Sequence, residues 1–429
     1  MATTGRVHVV GAGLAGLAAA LSLSAAGRVV TVHEAAGHAG GRCRSYHDRT
    51  LGCRIDNGNH LLMAGNRAAL GYLDEIGAAE SLSGPEEPAF PFIDLADGRR
   101  WTVRPNPGPI GWWILSPERR VPGSGPLDYL RALRLLIASP DATVMEVLGP
   151  GRLMERFWRP LAVAALNAEP EVAAAAPLAA VLRETLWRDG RRCRPLVVRE
   201  GLSESFVDPA LAVLEERGVT VGFGRRLRAF EFAGDRAAAL AFSKDDAEDR
   251  IDLGPDDAVV LAVPPAAAEA LVPGLQVPQA SAAIVNAHFR LPEPATLPDD
   301  ARLTGARLIG LVGGTAQWVF VRDGLASVTV SAADELLDVP VEALLERLWR
   351  DTAAALGVPE LPRPAGRLIK ERRATFLQTP AELRRRPGTR TRWRNLALAG
   401  DWTATGLPAT IEGAIRSGRA AAAWLTAGR

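Results

Sequence analysis

The closing stretch LAGDWTATGLPATIEGAIRSG, Leu398 to Gly418, sets two carboxylates where burial is expected: Asp401 directly after an apolar run, and Glu412 inside an apolar helical stripe. A buried acid needs a charged or hydrogen-bonding partner. One basic candidate lies far upstream in GHAGGRCRS, where Gly40 and Gly41 precede Arg42. Adjacent glycines let backbone approach a phosphate, and a guanidinium can pair with it; taken alone, the segment also reads as a surface loop. Glycines recur at 11, 13 and 16, and Glu34 follows eighteen positions after the last of these. Residue sets for other chemistries are missing: there is no Cys-x-x-Cys, no metal-ligand cluster and no Gly-x-Ser-x-Gly, and the six histidines are mostly isolated.

The elements that would position these residues are legible around them. RVHVV, Arg6 to Val10, reads as a strand, GAGLAG as a tight turn, the alanine-leucine run after it as a helix, and RVVTVH as a second strand ending at Glu34. This is a dinucleotide-binding unit: Gly11 permits the turn, Gly13 lets N–H groups reach a pyrophosphate, and Gly16 allows helix and strand to pack closely. The helix N-terminus, with Leu14 and Ala15, favours the negative charge. Glu34 would accept hydrogen bonds from a ribose hydroxyl and repel a 2′-phosphate.

Composition agrees with a globular protein and bounds what it binds. With 429 residues, two domains are expected; 48% of residues are hydrophobic and the formal charge is +1, which gives no electrostatic case for nucleic acid. Lysine occurs only at 244 and 370, so the basic side chains are nearly all arginine. The three cysteines, Cys43, Cys53 and Cys193, are odd in number and lack ligand spacing, which suits a reduced cytoplasm. No apolar run reaches the roughly 18 residues of a spanning helix, so any membrane contact would be peripheral.

Taken together, GxGxxG, Glu34, the GGR loop and the closing Gly400-Asp401 segment resemble the flavin-dependent amine oxidase and phytoene desaturase superfamily. DNGNHLL (Asp56 to Leu62) is similar to its flavin-side turn, and DDAVVLAVPP (Asp256 to Pro265) to its strand and Pro-Pro turn. GLSESFVDPA, AQWVF, ERRATF and GDWTATGLPATIEGAIRSG resemble the hydroxysqualene dehydroxylase group within it. The resemblance spans the chain and implies FAD as cofactor and the triterpenoid alcohol hydroxysqualene as substrate. It further implies hydride transfer to an allylic carbon with loss of water, and an external reductant, since VGFGRR stops short of a second GxGxxG. A carotenoid-type desaturase or amine oxidase is the alternative from the same superfamily; a non-catalytic flavin- or isoprenoid-binding protein is the alternative from another class.

The implied fold is α/β: a Rossmann-like FAD-binding domain of the amine oxidase type, interleaved with a mixed-sheet substrate domain and a helical cap. The FAD domain is expected over 1–105, 196–282 and 391–429, the cap over 106–195, and the mixed sheet over 283–390. Leu127, Leu130, Leu133 and Leu136 recur at helical spacing in the cap, with Arg131 and Arg134 on another face. Around the cofactor the resemblance implies Gly11, Gly13, Leu14, Ala15, Gly16, Glu34, Gly41, Arg42, Gly58, Asn59, Leu227, Gly400, Asp401, Thr410, Ile411 and Glu412. Glu412 caps first-turn amides or pairs with Arg42.

For the chemistry beyond the cofactor, His60 closes the flavin-side turn and could protonate a departing hydroxyl; a structural histidine is the competing reading. Asp56 has the same two readings, with its own turn as the structural one. Trp318 paves the substrate pocket or packs in the core. Arg372 and Arg373 read as a solvated face. Trp112 and Trp113, ahead of Arg119 and Arg120, suit either a membrane interface or a lid over the substrate.

Overall fold

A computed structural model describes residues 5–244, 247–292 and 307–427. Five short strands form one parallel sheet in the order Thr220–Gly222, Val29–His33, Arg6–Val10, Ala258–Leu261, Leu396–Leu398. These strands are mostly apolar without alternation, as a sheet covered on both faces requires. The helix Leu14–Ala25 follows the first strand and is buried nearly all round. It lies against the closing helix Ile411–Ala427 so tightly that a Cβ at Gly418 would come within 2.1 Å of the Ala15 carbonyl oxygen. Five strands drawn from the two ends and the middle of the chain thus build one dinucleotide-type sheet, and the helices meet backbone to backbone. A hairpin, Arg226–Ala233 with Arg236–Lys244 around the Gly234-Asp235 turn, covers another side.

A second sheet has seven strands, ordered Gly366–Phe376, Ser281–Arg290, Leu325–Ser331, Trp318–Arg322, Leu308–Val312, Phe90–Asp94, Arg100–Val103. All neighbours are antiparallel except Leu308–Val312 and Phe90–Asp94, so the sheet is mixed as expected. Strand alternation assigns its two faces. Ile93, Ile309 and Val319 point to the helix Val341–Leu356, whereas Phe92, Leu308 and Trp318 point to the cap.

The expected boundary at residue 105 needs correction. Phe90–Asp94 and Arg100–Val103 pair into the seven-stranded sheet, because Phe92 to Asp94 run in register with Gly310 to Val312. Locally, FPFIDLADGRRWTV reads as a hairpin whichever sheet it joins. The cap itself is helical, with Pro126–Leu130, Val144–Leu148, Arg159–Leu166 and Ala175–Glu184. Its leucine stripe faces outward: Tyr129, Ala132 and Leu135 enter the core, while Leu127, Leu130, Leu133 and Leu136 are exposed. The two tryptophans also divide, Trp112 being 48% exposed and Trp113 buried edge-on against Tyr129, so Trp113 cannot reach a lipid surface.

Candidate functional site

The three glycines of the first turn serve different needs. A Cβ at Gly16 would lie 1.8 Å from the Gly11 carbonyl oxygen, and one at Gly11 would lie 2.4 Å from that of Ala262. Packing therefore requires both. At Gly13 a Cβ would meet nothing within 4 Å, so this position leaves open backbone where a ligand can approach. The helix that starts at Leu14 has no side-chain cap, and its first-turn amides, those of Ala15 and Gly16 included, remain available to an anion.

The GGR loop is held against this turn. Gly13 and Gly40 form a parallel bridge, and the Gly40 N–H donates to the Ala12 carbonyl at 2.8 Å. Gly41 has φ +59°, which favours glycine, and brings the chain to Arg42. The Arg42 guanidinium donates to Asp401 Oδ1 at 2.7 Å and to the Ala374 carbonyl at 2.6 Å. Asp401 is buried, and its charge holds the Arg42 pKa above the ordinary arginine value. Residues 359 positions apart thus answer each other: the closing acid has its basic partner. Glu34 reaches back to the turn, accepting from the amides of Ala12 at 2.7 Å and Ala36 at 2.8 Å. Both oxygens keep acceptor capacity for a ribose.

Arg386 is a positioning residue that the sequence did not single out. Its guanidinium donates to the carbonyls of Leu407, Asp401 and Thr403 and to Thr405 Oγ1, and it lies over the Phe376 ring. It shapes the loop between Gly400 and Thr410; burial lowers its pKa to about 10, against the opposing pull of Asp401. Among so many arginines no sequence signal marked it. Gly400 has φ +147° and donates its N–H to Ser417 Oγ, and Thr410 caps the closing helix through a 3.2 Å bond from the Gly413 N–H. The first helical residue is Ile411.

Glu412 has a different task from the one expected near the cofactor. Its oxygens accept from the amides of Ala68 at 3.0 Å and Ala69 at 2.8 Å, capping the helix Arg67–Glu75, and from Arg416 Nε at 2.8 Å. Arg42 is not its partner. It does cap first-turn amides, but those of another helix, which no local pattern could identify. Leu227 lies in the core shared by the Arg226–Ala233 hairpin and the parallel sheet.

Asp56 is equally engaged. Oδ1 accepts from Ser45 Oγ at 2.6 Å and the Leu202 amide at 2.9 Å, and Oδ2 pairs with Arg322 at 3.1 Å. Asp56 thus ties the short pairing of Ser45–Asp48 with Cys53–Asp56 to the Leu202 segment and to Arg322 of the seven-stranded sheet, as the structural reading of this acid expects. Asn59 bridges in the same way, donating to Thr329 Oγ1 at 2.9 Å, while Gly58 packs against Asn286. His60 shares a small cavity of about 30 Å³ with Asn59, Val197, Val198 and Phe320. Burial lowers its pKa, with the Asp56 charge pulling the other way. Its imidazole is therefore neutral near pH 7 and offers an N–H rather than an imidazolium proton. Trp318 is buried between sheet and cap, edge-on to Phe92 at 5.4 Å, and its indole Nε1 has no hydrogen-bond partner among the described residues. Arg372 and Arg373 are exposed.

The open face of Gly13, the uncapped helix N-terminus and the Arg42–Asp401 pair fit a dinucleotide. Comparison with known proteins agrees. A family model described as flavin containing amine oxidoreductase matches residues 14–425. Hydroxysqualene dehydroxylase of Rhodopseudomonas palustris is 48% identical over 425 residues, covering 99% of both chains. The protein of the same name from Zymomonas mobilis is 42% identical over 97% of each. A solved structure of putrescine oxidase superposes with a TM-score of 0.67 over 99% of both chains at 18% identity, a likeness of fold. The chain belongs to the flavin-containing amine oxidoreductase family.

Proposed function

We propose that the protein is an FAD-dependent hydroxysqualene dehydroxylase, which replaces the allylic hydroxyl of hydroxysqualene by hydrogen to give squalene. The observation that carries this reading is the near-full-length identity of 42–48% to hydroxysqualene dehydroxylases, joined to a phosphate turn and Arg42–Asp401 pair that fit FAD. When bound and reduced, the flavin would supply the hydride, and the hydroxyl would leave as water with a proton drawn from solvent. The chain's residues do the rest. The turn from Gly11 to Gly16 and Glu34 hold the adenosine and pyrophosphate end, while Arg42, Asp401 and the first turn at Ile411 hold the other. Neutral His60, in the cavity with Phe320, donates a hydrogen bond to the departing oxygen. Trp318 lends an aromatic wall to the apolar space between sheet and cap, where an electron-rich ring favours a cationic allylic carbon. A separate reductant recharges the flavin.

Among the described residues no helix is long and apolar enough to cross a membrane. The reading places the protein in the cytoplasm, in peripheral contact with the inner face of the cell membrane through Trp112. The test is anaerobic: reduce the purified flavoprotein, add hydroxysqualene, follow reoxidation at about 450 nm, a general flavin band, and seek squalene by mass spectrometry. Reoxidation with squalene formation is expected. Reduced flavin that persists with no squalene refutes the reading.

A further inference from the structure

The cap presents an apolar face that nothing in the fold covers. Between Pro126 and Ile137 the chain forms a helix, Pro126–Leu130, and a tighter turn, Arg131–Ile137. One side of it, Tyr129, Ala132 and Leu135, is buried in the cap core. On the other side Leu127, Leu130, Leu133, Leu136 and Ile137 are 45–86% exposed. The adjoining turn Trp112–Leu115, joined to the helix by the Trp113–Tyr129 contact, adds Ile110, Trp112 and Leu115 at 48–75%. Twelve large apolar side chains are exposed among the described residues, and eight of them fall within residues 110–137. Such a concentration marks an interaction surface rather than scattered exposure.

Its charge indicates what covers it. Residues 108–140 contain Arg119, Arg120, Arg131 and Arg134 against only Glu118 and Asp128, in a chain whose formal charge is +1. Arg131 and Arg134 are exposed among the leucines, and the Arg119 guanidinium lies 5.0 Å from the centre of the exposed Trp112 ring. An apolar strip with interleaved arginines and a tryptophan at its margin suits acyl chains below and anionic headgroups beside it. A symmetric pairing of two copies through this face would instead bring Arg131 and Arg134 of both copies into one apolar interface.

We propose that the face formed by Leu127, Leu130, Leu133, Leu136 and Ile137, with Trp112 and the flanking arginines, docks on a bilayer carrying anionic lipid. Tyr129, Ala132 and Leu135 of the same segment belong to the cap core that also holds Phe92 and Trp318, so the docked segment would lie on the outer side of that core. This purpose, delivery of a triterpenoid alcohol, rests on the proposed function; the docking itself does not.

Flotation of the flavin-loaded protein with vesicles tests it, using phosphatidylcholine alone and a 3:1 mixture with phosphatidylglycerol, roughly the anionic content that polybasic segments sense. Binding to the mixed vesicles is expected, with at least about a tenfold loss in the triple variant Leu130→Ser, Leu133→Ser, Leu136→Ser, whose changes are all on exposed side chains. Arg131→Gln with Arg134→Gln should remove the preference for the anionic vesicles while the flavin content stays unchanged. Wild-type protein that floats with neither vesicle, a triple variant that floats like wild type, or a dimer that the triple variant alone dissociates would each overturn the proposal. Turnover of detergent-dispersed hydroxysqualene distinguishes the two readings: vesicle binding without turnover refutes the dehydroxylase and spares the docking face.

Discussion

Arg42 and Glu412 both meet a partner hundreds of positions away, yet they make opposite predictions. Arg42 joins the glycine turn to the closing loop, so Arg42→Met should lower flavin affinity by about tenfold or more, the usual cost of a charge-assisted pair of roughly 1.5–3 kcal/mol; equilibrium dialysis of FAD checks it. Glu412→Gln should instead leave the flavin spectrum unchanged and cost roughly 2 kcal/mol of stability, because a buried cap on two amides and an arginine loses its charge. A chemical denaturation curve reads that difference. His60→Ala should slow reoxidation by hydroxysqualene with FAD still bound. Sequence could name Asp401 and Glu412 as acids in need of partners, since an apolar stripe interrupted by a carboxylate is visible locally. It could not divide the partners between Arg42 and the Arg67–Glu75 helix, because that depends on which segments the fold brings together.

At the scale of elements, the first two strands carry a buried histidine pair. His8 Nδ1 lies 3.0 Å from His33 Nε2, and Phe242 of the neighbouring hairpin covers His33 at 4.6 Å. Burial lowers His8 from the ordinary 6.5 to about 4 and His33 to about 3. The unfolded chain therefore binds more protons than the native one below pH 6.5, and stability falls as pH drops from there towards 4. His8→Gln with His33→Gln should make the thermal midpoint less dependent on pH across that window; some slope remains, because buried His288, lowered to about 4, acts in the same direction. Elements themselves were legible: the strand Arg6–Val10, the helix after its glycine turn and the second strand follow from local period and turn chemistry. The orientation of the leucine stripe was not. Both faces of Pro126 to Ile137 are apolar, and period alone does not say which one the rest of the chain will cover.

For the whole molecule, the cofactor site is assembled from the turn at Gly13, the loop at Arg42 and the segment from Gly400 to Ile411, and so joins parts that would otherwise separate. Removing FAD should lower the unfolding midpoint, and adding it back should raise stability by about 2.7 kcal/mol once free FAD exceeds its Kd a hundredfold; a titration followed by differential scanning fluorimetry tests this. The fold class was readable because the motifs that hold a dinucleotide are short and local. The boundary at residue 105 was not, since strand pairing between Phe92 and Gly310 is a long-range choice. The strand Leu396–Leu398 and the contact of Gly418 with Ala15 have one more consequence. During synthesis, at about 5–20 residues per second, the first two strands wait roughly 20 to 70 s for the fifth. The opening strands stay unfinished until Leu396–Leu398 and the helix Ile411–Ala427 have been made, so flavin loading follows the synthesis of that segment, and a chain cut short before residue 396 yields a protein without colour.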